Sequence, residues 1–225
     1  MCCTIQIMSS KPKIILASAS IGRKELLQKL GVPFDVKIST IDEEAITDSD
    51  PYTMLEKRAR AKAEDIFNKL LFEQSENFSL RSKNKLFSSS PNSKSYLIIA
   101  ADSMAIVGNE TFGKSKDKAH AKKMVKQLMG KTHVFATATS IIHIADNTII
   151  NRWNDLSKTN VTMRSMTENE IDEYVTRYDF RRFAAAYTFN ETPWDLITKI
   201  DGSYTNVIGL PFEVVLPIFR KLAIL

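Results

Sequence analysis

The sequence predicts an α/β domain built on a mixed β-sheet, and three observations support this fold class. Short apolar runs typical of strands alternate with helical patterns in the first part of the chain. From residue 133 to 165 the strand patterns follow one another without a helix between them. The length of 225 residues suits one domain or two closely packed lobes. Interleaved strands and helices followed by a cluster of strands indicate a sheet with mixed pairing.

The first elements are a strand, a helix and a second strand. Residues 13–17 (KIILA) are apolar and rich in β-branched side chains, which is typical of a short buried strand. Ser20 is the expected N-cap of the following helix, and Gly31 stands where its C-cap is expected. Residues 32–40 predict the second strand.

A long helix follows, with Asp50 as its expected N-cap and Pro51 at its first helical position. Lys62 lies on the apolar stripe of this helix, which consists of Leu55, Ala59, Ala63, Ile66 and Leu70. The other basic residues of the helix align with the stripe less well: Lys57, Arg58 and Arg60. Residues 71–95 contain eight serines and three asparagines, which predicts a flexible surface insertion.

The second half begins with an apolar strand, residues 96–107, which contains one acid, Asp102. Gly-Asn at 108–109 is expected to close a tight hairpin, and residues 115–130 predict an amphipathic helix. Strands are predicted at residues 133–145, 148–154 and 157–165, and a helix with a capping box at residues 167–178. Residues 194–211 predict a strand with a turn, and residues 211–225 predict a closing helix with a kink at Pro217.

Composition narrows the class of protein. The chain is 44% hydrophobic and 25% charged, without an apolar run long enough for a bilayer, and its N-terminus lacks the apolar centre of a secretory signal. We therefore expect a cytoplasmic protein without membrane contact. Cys2 and Cys3 are adjacent, so they cannot staple the core. The histidines are too scattered for a histidine-rich zinc centre: His120, His133 and His143.

The net charge of +5 and the pI near 9.1 allow a polyanionic partner, although lysine-rich solvated helix faces explain most of this charge. Non-specific nucleic-acid binding would follow from charge alone. The sequence contains neither a groove-reading motif nor a row of exposed aromatic residues, so we disfavour a nucleic-acid partner.

Asp102 is the first candidate for chemistry. A carboxylate in a buried strand costs several kcal/mol unless it is paired, hydrogen-bonded or bound to metal. A structural salt bridge to a nearby cation, or a position at the exposed end of the strand, would explain it without a function. The functional interpretation is a metal ligand or a general base that activates water.

The segment LASASIGRKELL contains a second candidate site. A strand ends there in small residues and a helix begins at once, so that the helix N-terminus can approach an anion. Arg23 can donate two hydrogen bonds to a phosphate, and Ser18 and Ser20 add hydroxyl groups. Serines before a helix often act only as caps. The motif GxxxxGK[ST] is absent, so this is not a Walker loop.

Two lysines extend this set. Lys62 would contact a phosphate at the rim of the core, or else extend its ammonium to solvent from the edge of the stripe. Lys114 follows a glycine between a strand and a helix, where it is either a phosphate contact or a solvated loop residue. An acid together with several cations suits phosphoryl chemistry on a nucleotide. A covalent aspartyl mechanism is disfavoured, because Met104 stands where a DxD pattern requires the second Asp.

Four segments in order resemble the Maf-like nucleotide pyrophosphatases: LASASIGRKELLQKLGVPFDVKISTIDEE, AADS, GKSKDKAHAKKMVKQLMGKTHVFATATSI and DGSYTNVIGLP. The resemblance implies one domain over residues 11–225 after an N-terminal extension, residues 1–10. Its fold would be an elongated mixed sheet flanked by helices, with two lobes and a central cleft (Maf/ITPase-like). Proteins of this family often form homodimers, so the resemblance also implies a possible homodimer. It implies hydrolysis of a nucleoside triphosphate to the monophosphate and pyrophosphate with Mg²⁺ or Mn²⁺. Members cleave dTTP and UTP, or 7-methyl-GTP, in nucleotide-pool housekeeping.

The same resemblance implies roles for individual residues. Asp102 matches the proton acceptor of the family, and Glu43 matches an acid associated with the metal. Asp102 is expected to contact the metal together with Glu43. The phosphate-contacting positions match Ser18 and Arg23, with Ser20 in the same motif. The lysines of the family motifs match Lys62 and Lys114.

The chain departs from the family at positions that read the base. The pattern S-P-R-R ends in Gly22 and Arg23, so the Arg tied to pyrimidine specificity is missing, and the Trp of the 7-methyl-GTP group is missing as well. Ser103 replaces the Thr after the catalytic Asp. The pattern K-A-G-A-Y-x-I-Q-G reads FAAAYTFNE, which places Phe183 at the Lys and Asn190 at the specificity Gln.

The leading hypothesis is therefore a divalent-metal-dependent nucleoside triphosphate pyrophosphatase, acting on dTTP and UTP or on modified nucleotides. The alternative is a catalytically weakened regulatory protein of cell division that binds nucleotide without efficient turnover. The departures at Gly22 and Phe183 motivate this alternative.

Overall fold

The structure is a computed structural model, and it describes residues 11–82, 95–108, 110–178, 180, 183–187 and 196–225. Within these residues, seven strands form one sheet: β1 (Lys13–Leu16), β2 (Phe34–Val36), β3 (Ser95–Val107), β4 (Glu110–Phe112), β5 (Thr132–Ala145), β6 (Thr148–Met163) and β7 (Ile197–Asp201). Six helices accompany it: α1 (Ile21–Lys29), α2 (Pro51–Ser82), α3 (Lys118–Leu128), α4 (Glu168–Arg177), α5 (Tyr204–Ile208) and α6 (Phe212–Lys221). The predictions for Cys2, Cys3 and Asn190 lie outside the described residues.

The sheet has mixed pairing, which confirms the α/β prediction. Its strand order is β2-β1-β3-β5-β6-β7, with β4 beside β3. β1 pairs in parallel with β2 and β3, whereas all the other pairs are antiparallel. The two parallel pairs follow from the helices that separate β1 from β2 and β2 from β3, because parallel neighbours need a crossover connection.

Helices cover both faces of the sheet and fix the direction of each side chain on β3. Even-numbered residues of β3 pack against the apolar stripe of α2, which is fully buried as the periodicity predicts. The odd-numbered residues Leu97 and Ile99 pack against α1 and α6 on the opposite face. A separate cluster joins α3 and α4 to the far end of the sheet. Asp102 and Ser103, being consecutive, therefore point to opposite faces.

One edge of β3 is left open over part of its length, and we call this opening the β3 gap. On this edge β1 pairs with residues 96–99, and β4 pairs with residues 105–107. β5 occupies the other edge along almost the whole strand. Among the described residues, no strand lies beside residues 100–104 on the open edge, so side chains from both faces can reach one space there.

Several predicted boundaries need correction. The second strand covers only residues 34–36 and not 32–40, because β1 offers it three partners before ending at Leu16. The strands predicted at 148–154 and 157–165 are one strand, β6, because β5 pairs with it continuously. The third helix begins at Lys118, where Asp117 caps it. The turn predicted after β7 contains the helix α5, and the 71–95 segment is helical as far as Ser82.

The predicted N-caps of α1, α2 and α4 are confirmed. Ser20 accepts a hydrogen bond from Arg23 N, and Asp50 accepts one from Thr53 N at 2.9 Å. Thr167 and Glu170 form the predicted capping box of α4. Among the described residues, none of the helices combines the length and the apolarity that a bilayer crossing requires.

Candidate active site

The β3 gap opens into a cavity of about 640 Å³, and most of the predicted site residues meet there. It lies between the N-terminus of α1, the middle of α2 and the loop after β4. Eight predicted residues line it: Ser18, Ser20, Arg23, Glu43, Lys62, Asp102, Ser103 and Lys114. The sequence separations among these residues are large, so only the fold can bring them together.

Lys62 and Asp102 form the centre of the cavity. The Lys62 ammonium lies 2.8 Å from Asp102 Oδ1, 2.6 Å from Glu43 Oε2 and 3.5 Å from the Ala101 carbonyl oxygen. These three oxygens match the three hydrogens of the ammonium. A buried lysine is tolerated because it is paired. The alternative of an ammonium extended to solvent is wrong, since the Lys62 side chain is only 8% exposed.

The salt bridge that the structural alternative predicts for Asp102 is present, while its functional interpretation stays a prediction. Asp102 has the salt bridge that a buried acid requires, and the same carboxylate lines the cavity. Glu43 is more exposed than Asp102, so the pair has a buried member and an accessible member.

Arg23 is anchored to the protein at three points. Its Nε donates to the Gly209 carbonyl oxygen at 2.7 Å, Nη1 to Ser18 Oγ at 2.9 Å, and Nη2 to Ser103 Oγ at 2.8 Å. A guanidinium has five N–H groups, so two remain without a partner among the described residues. Burial lowers the pKa of Arg23, and the carboxylates of Asp102 and Glu43 oppose this effect. An arginine stays charged under such conditions.

The serines before α1 have different tasks. Ser20 Oγ caps the helix by accepting from Arg23 N, as the capping alternative predicts. Ser18 Oγ accepts from Ser20 N at 3.2 Å and from the Arg23 side chain. Ser18 thus orders the loop and the guanidinium together, beside the helix N-terminus that favours an anion.

Gly22 does not line the cavity. A Cβ atom on Gly22 would lie 2.9 Å from Ile208 Cγ2 and 3.1 Å from the Ile208 carbonyl oxygen. Both distances are shorter than ordinary van der Waals contact. α1 and α5 are therefore packed together at this position, and a side chain there would displace α5.

Two cations of the cavity were not singled out from the sequence, Arg58 and Lys116. Arg58 stands one turn before Lys62, and this i, i+4 spacing was the available signal because it places both on one side of α2. Its Nε donates to the Ile46 carbonyl oxygen at 3.1 Å, which fixes the orientation of the guanidinium. Lys116 stands two residues after Lys114 in the loop that leads to α3.

Part of the cavity wall is apolar and aromatic. It includes Phe135, Phe183, Tyr187, Val207 and Ile208. Tyr187 is held by a hydrogen bond of 2.7 Å between its hydroxyl and His133 Nε2. Burial lowers the pKa of His133 to about 4 and raises the pKa of Tyr187, so both groups are neutral at pH 7. The cavity thus combines charged groups with an apolar surface that suits a flat group.

A strained turn lies between Phe183 and Tyr187 of this wall. Ala185 and Ala186 have φ values of 57° and 59°, a left-handed conformation that costs a residue with a Cβ about 1–2 kcal/mol. Ala185 N donates to the Gly113 carbonyl oxygen at 2.8 Å, and Tyr174 Oη donates to the Ala186 carbonyl oxygen at 2.8 Å. The first bond holds the turn against the loop that carries Lys114, and the second holds it against α4.

Ala185→Gly is expected to raise the free energy of unfolding by about 0.5–1 kcal/mol, because glycine removes the steric cost and the loss of backbone entropy offsets part of the gain. Urea denaturation measures the change. Ala184→Gly, one residue earlier and outside the left-handed region, is the matched control and should lower the stability. Equal effects of the two substitutions would contradict the assignment of strain.

The acids of the cavity fit a divalent cation. Asp102 and Glu43 supply hard oxygen donors that converge on one point, marked by the Lys62 ammonium. Mg²⁺ is usually held by one or two carboxylates together with substrate phosphates and water. Within the described part of the chain, no group of three or more His, Cys, Asp or Glu residues could hold a metal by itself. The donor set therefore suits an ion that arrives with a phosphate.

Comparisons with known proteins identify the family of the chain. A family model described as Maf-like protein matches residues 13–222. The dTTP/UTP pyrophosphatase of Treponema denticola is 33% identical over 216 residues, which are 93% of this chain and 96% of that protein. The dTTP/UTP pyrophosphatase of Agathobacter rectalis is 32% identical over 212 residues, 94% of this chain and 98% of its own. That of Geotalea uraniireducens is 31% identical over 217 residues, with 96% and 98% covered.

Proposed function

Because the chain belongs to the Maf-like protein family, we propose that it hydrolyses a nucleoside triphosphate to the monophosphate and pyrophosphate. It is then a hydrolase acting on an acid anhydride. The observation that carries the proposal is the convergence of a buried acid and five cations on one cavity that also has an aromatic wall. The cations suit the polyphosphate, and the aromatic wall suits a base.

The charge of the cavity supports a bound polyphosphate. Its cations outnumber its carboxylates by five to three: Arg23, Arg58, Lys62, Lys114 and Lys116 against Glu43, Glu44 and Asp102. Arg23 offers its two remaining N–H groups to phosphate oxygens. The N-terminus of α1 adds its partial positive charge.

Asp102 is the proton acceptor of the proposed reaction. A water molecule attacks the α-phosphorus and transfers a proton to the carboxylate. The new bond joins the water oxygen to the α-phosphorus, and the bond from this phosphorus to the oxygen bridging to the β-phosphorus breaks. Pyrophosphate leaves, and the cations neutralise the charge on its oxygens. Lys62 pairs with Asp102 and so holds it in place.

The proposed cofactor is Mg²⁺ or Mn²⁺, held by Asp102 and Glu43. Such an ion supplies neutralisation of the charge that develops on phosphate oxygens. The dependence of turnover on a chelator is therefore part of the test.

A pyrimidine nucleotide is the proposed substrate, because the relatives above are dTTP/UTP pyrophosphatases. The base would contact the wall formed by Phe183 and Tyr187. In this proposal the cavity is the cleft between two lobes, and support comes from the separate hydrophobic clusters beside α2 and beside α3. The homodimer implied by the family resemblance stays a prediction, and light scattering tests it by measuring the molar mass in solution.

The test is pyrophosphate release from a panel containing dTTP, UTP, 7-methyl-GTP and the common nucleotides, with Mg²⁺ or Mn²⁺ and with EDTA. We expect metal-dependent release that is fastest with dTTP or UTP. Binding of nucleotide without release would favour the weakened regulatory protein. Fast release that persists in EDTA would contradict the metal assignment.

Arg58→Met is expected to raise KM for the preferred nucleotide about 10- to 100-fold, since a hydrogen bond to a charged group contributes roughly 1.5–3 kcal/mol. Arg60→Met is the matched control. Arg60 lies on the same helix, is exposed and pairs with Glu56 at 3.3 Å, so its loss should leave KM within about twofold, as for other surface pairs. Steady-state kinetics decide, and the same KM in both variants would contradict the assignment of Arg58 to the phosphate site.

A further inference from the structure

A line of hydrogen bonds leaves the cavity through the sheet, and we call it the hydroxyl relay. Arg23 Nη2 donates to Ser103 Oγ at 2.8 Å. Ser103 lies directly opposite Thr137 in the β3–β5 pair, and their hydroxyl oxygens are 2.9 Å apart. Thr137 is fully buried, and its hydroxyl oxygen is 3.2 Å from the Asn206 carbonyl oxygen.

The two ends of the relay fix the direction of every proton in it. A guanidinium can only donate and a carbonyl oxygen can only accept. Thr137 must therefore use its single proton toward Asn206, and Ser103 must use its own toward Thr137. Each hydroxyl accepts one bond and donates one, so the chain runs in one direction and its members polarise one another.

The far end of the relay is firmly held. Asn206 is fully buried, and its Nδ2 donates to the Phe135 carbonyl oxygen at 3.0 Å and to Thr159 Oγ1 at 2.9 Å. These bonds fix Asn206 to β5 and β6. α5, which contains Asn206, also leads to Gly209, the acceptor for Arg23 Nε. The relay and the Gly209 contact thus hold the same guanidinium through one short helix.

We propose that Thr137 is a positioning residue for the phosphate-binding guanidinium, acting on Arg23 through Ser103. Thr137 does not line the cavity, so it cannot act by contact with the substrate. The inference rests on the proposed function, because it assigns Arg23 to the polyphosphate. It also gives Ser103, predicted as a specificity residue, the task of orienting Arg23.

Thr139 supplies a matched comparison on the same strand. It lies two residues after Thr137 and points to the same face of β5. It is buried to the same degree, and its hydroxyl has no hydrogen-bond partner among the described residues. The two threonines differ in whether the hydroxyl belongs to the relay.

The experiment compares Thr137→Val with Thr139→Val in the full chain. Two quantities are measured: kcat/KM for dTTP, and the Kd of a non-hydrolysable α,β-imido analogue of dTTP by calorimetry. We expect Thr137→Val to lower kcat/KM and to raise Kd, each about three- to tenfold, which is the effect of one hydrogen bond. Thr139→Val should leave both within about twofold, as expected for a hydroxyl without a bond. Thr137→Ser should restore them.

A double-mutant cycle separates positioning from a general structural effect. If Thr137 acts through Ser103, Ser103→Ala with Thr137→Val should weaken analogue binding no more than the stronger single variant. Additive losses, or equal effects of the two valine variants, would overturn the inference. Should the wild type bind the analogue without releasing pyrophosphate from any nucleotide, the proposed function fails, while the Kd values still decide on Thr137. Wild type that neither binds nor hydrolyses would overturn both.

Discussion

Asp102→Asn is expected to lower kcat for pyrophosphate release by about 10²- to 10⁴-fold, the contribution of a positioned general base. Asn keeps the size of the side chain and loses the ability to accept the proton from water. The structure makes this the most damaging conservative change, because Asp102 is the buried acid of the cavity and lies 2.8 Å from Lys62. The measurement is the steady-state rate of pyrophosphate release at saturating nucleotide.

The same variant should remain folded. Removing one partner of a buried ion pair usually costs about 3–5 kcal/mol. Glu43 stays 2.6 Å from the Lys62 ammonium, so the charge keeps a partner and the loss should be smaller. Asp155→Asn, at an exposed position of β6, is the matched control and should change neither kcat nor stability. Undiminished turnover in Asp102→Asn would remove the proposed mechanism.

Arg23→Lys is expected to lower kcat/KM about 10²- to 10³-fold, comparable to the loss of one donor that stabilises transition-state charge. Lysine keeps the charge but has one ammonium in place of a planar group. It cannot reach Ser18, Ser103 and the Gly209 carbonyl and also present two N–H groups to a phosphate. Kinetics with the preferred nucleotide measure the loss.

Stability should fall in parallel, by about 2–4 kcal/mol, because buried acceptors lose their donors. Arg220→Lys, at an exposed position near the end of α6, is the control for the same chemical change. Chemical denaturation compares the two variants. A stability loss without a kinetic loss would make Arg23 a purely structural residue.

The features that depend on local sequence were predictable. Caps at Ser20, Asp50 and Thr167 follow from side-chain chemistry within one turn of helix, and all three are present. The buried stripe of α2 follows from periodicity. The salt bridge that was the structural alternative for Asp102 is present, and its partner is Lys62.

Features that depend on pairing across the chain were not predictable. The short second strand and the single long β6 reflect how much of a neighbouring strand is available, which no local pattern records. Arg58 does not align with the apolar stripe of α2, so the periodicity does not single it out, although it lines the cavity together with Lys62. The contact between Gly22 and Ile208 joins residues far apart in sequence. The family resemblance implies the roles of the site residues, whereas only the tertiary structure shows which residues contact them.

The β3 gap makes the chemistry dependent on strand register. Deleting one residue between Ser95 and Ala100 would turn the carboxylate toward α1 and the hydroxyl toward α2, because side-chain direction alternates along a strand. Inserting two residues would keep the faces but move the acid about 7 Å along the strand, to the position that Met104 now occupies and away from the Lys62 ammonium. Substitution of one apolar residue by another in this strand should therefore be tolerated, whereas any insertion or deletion before Asp102 should abolish activity.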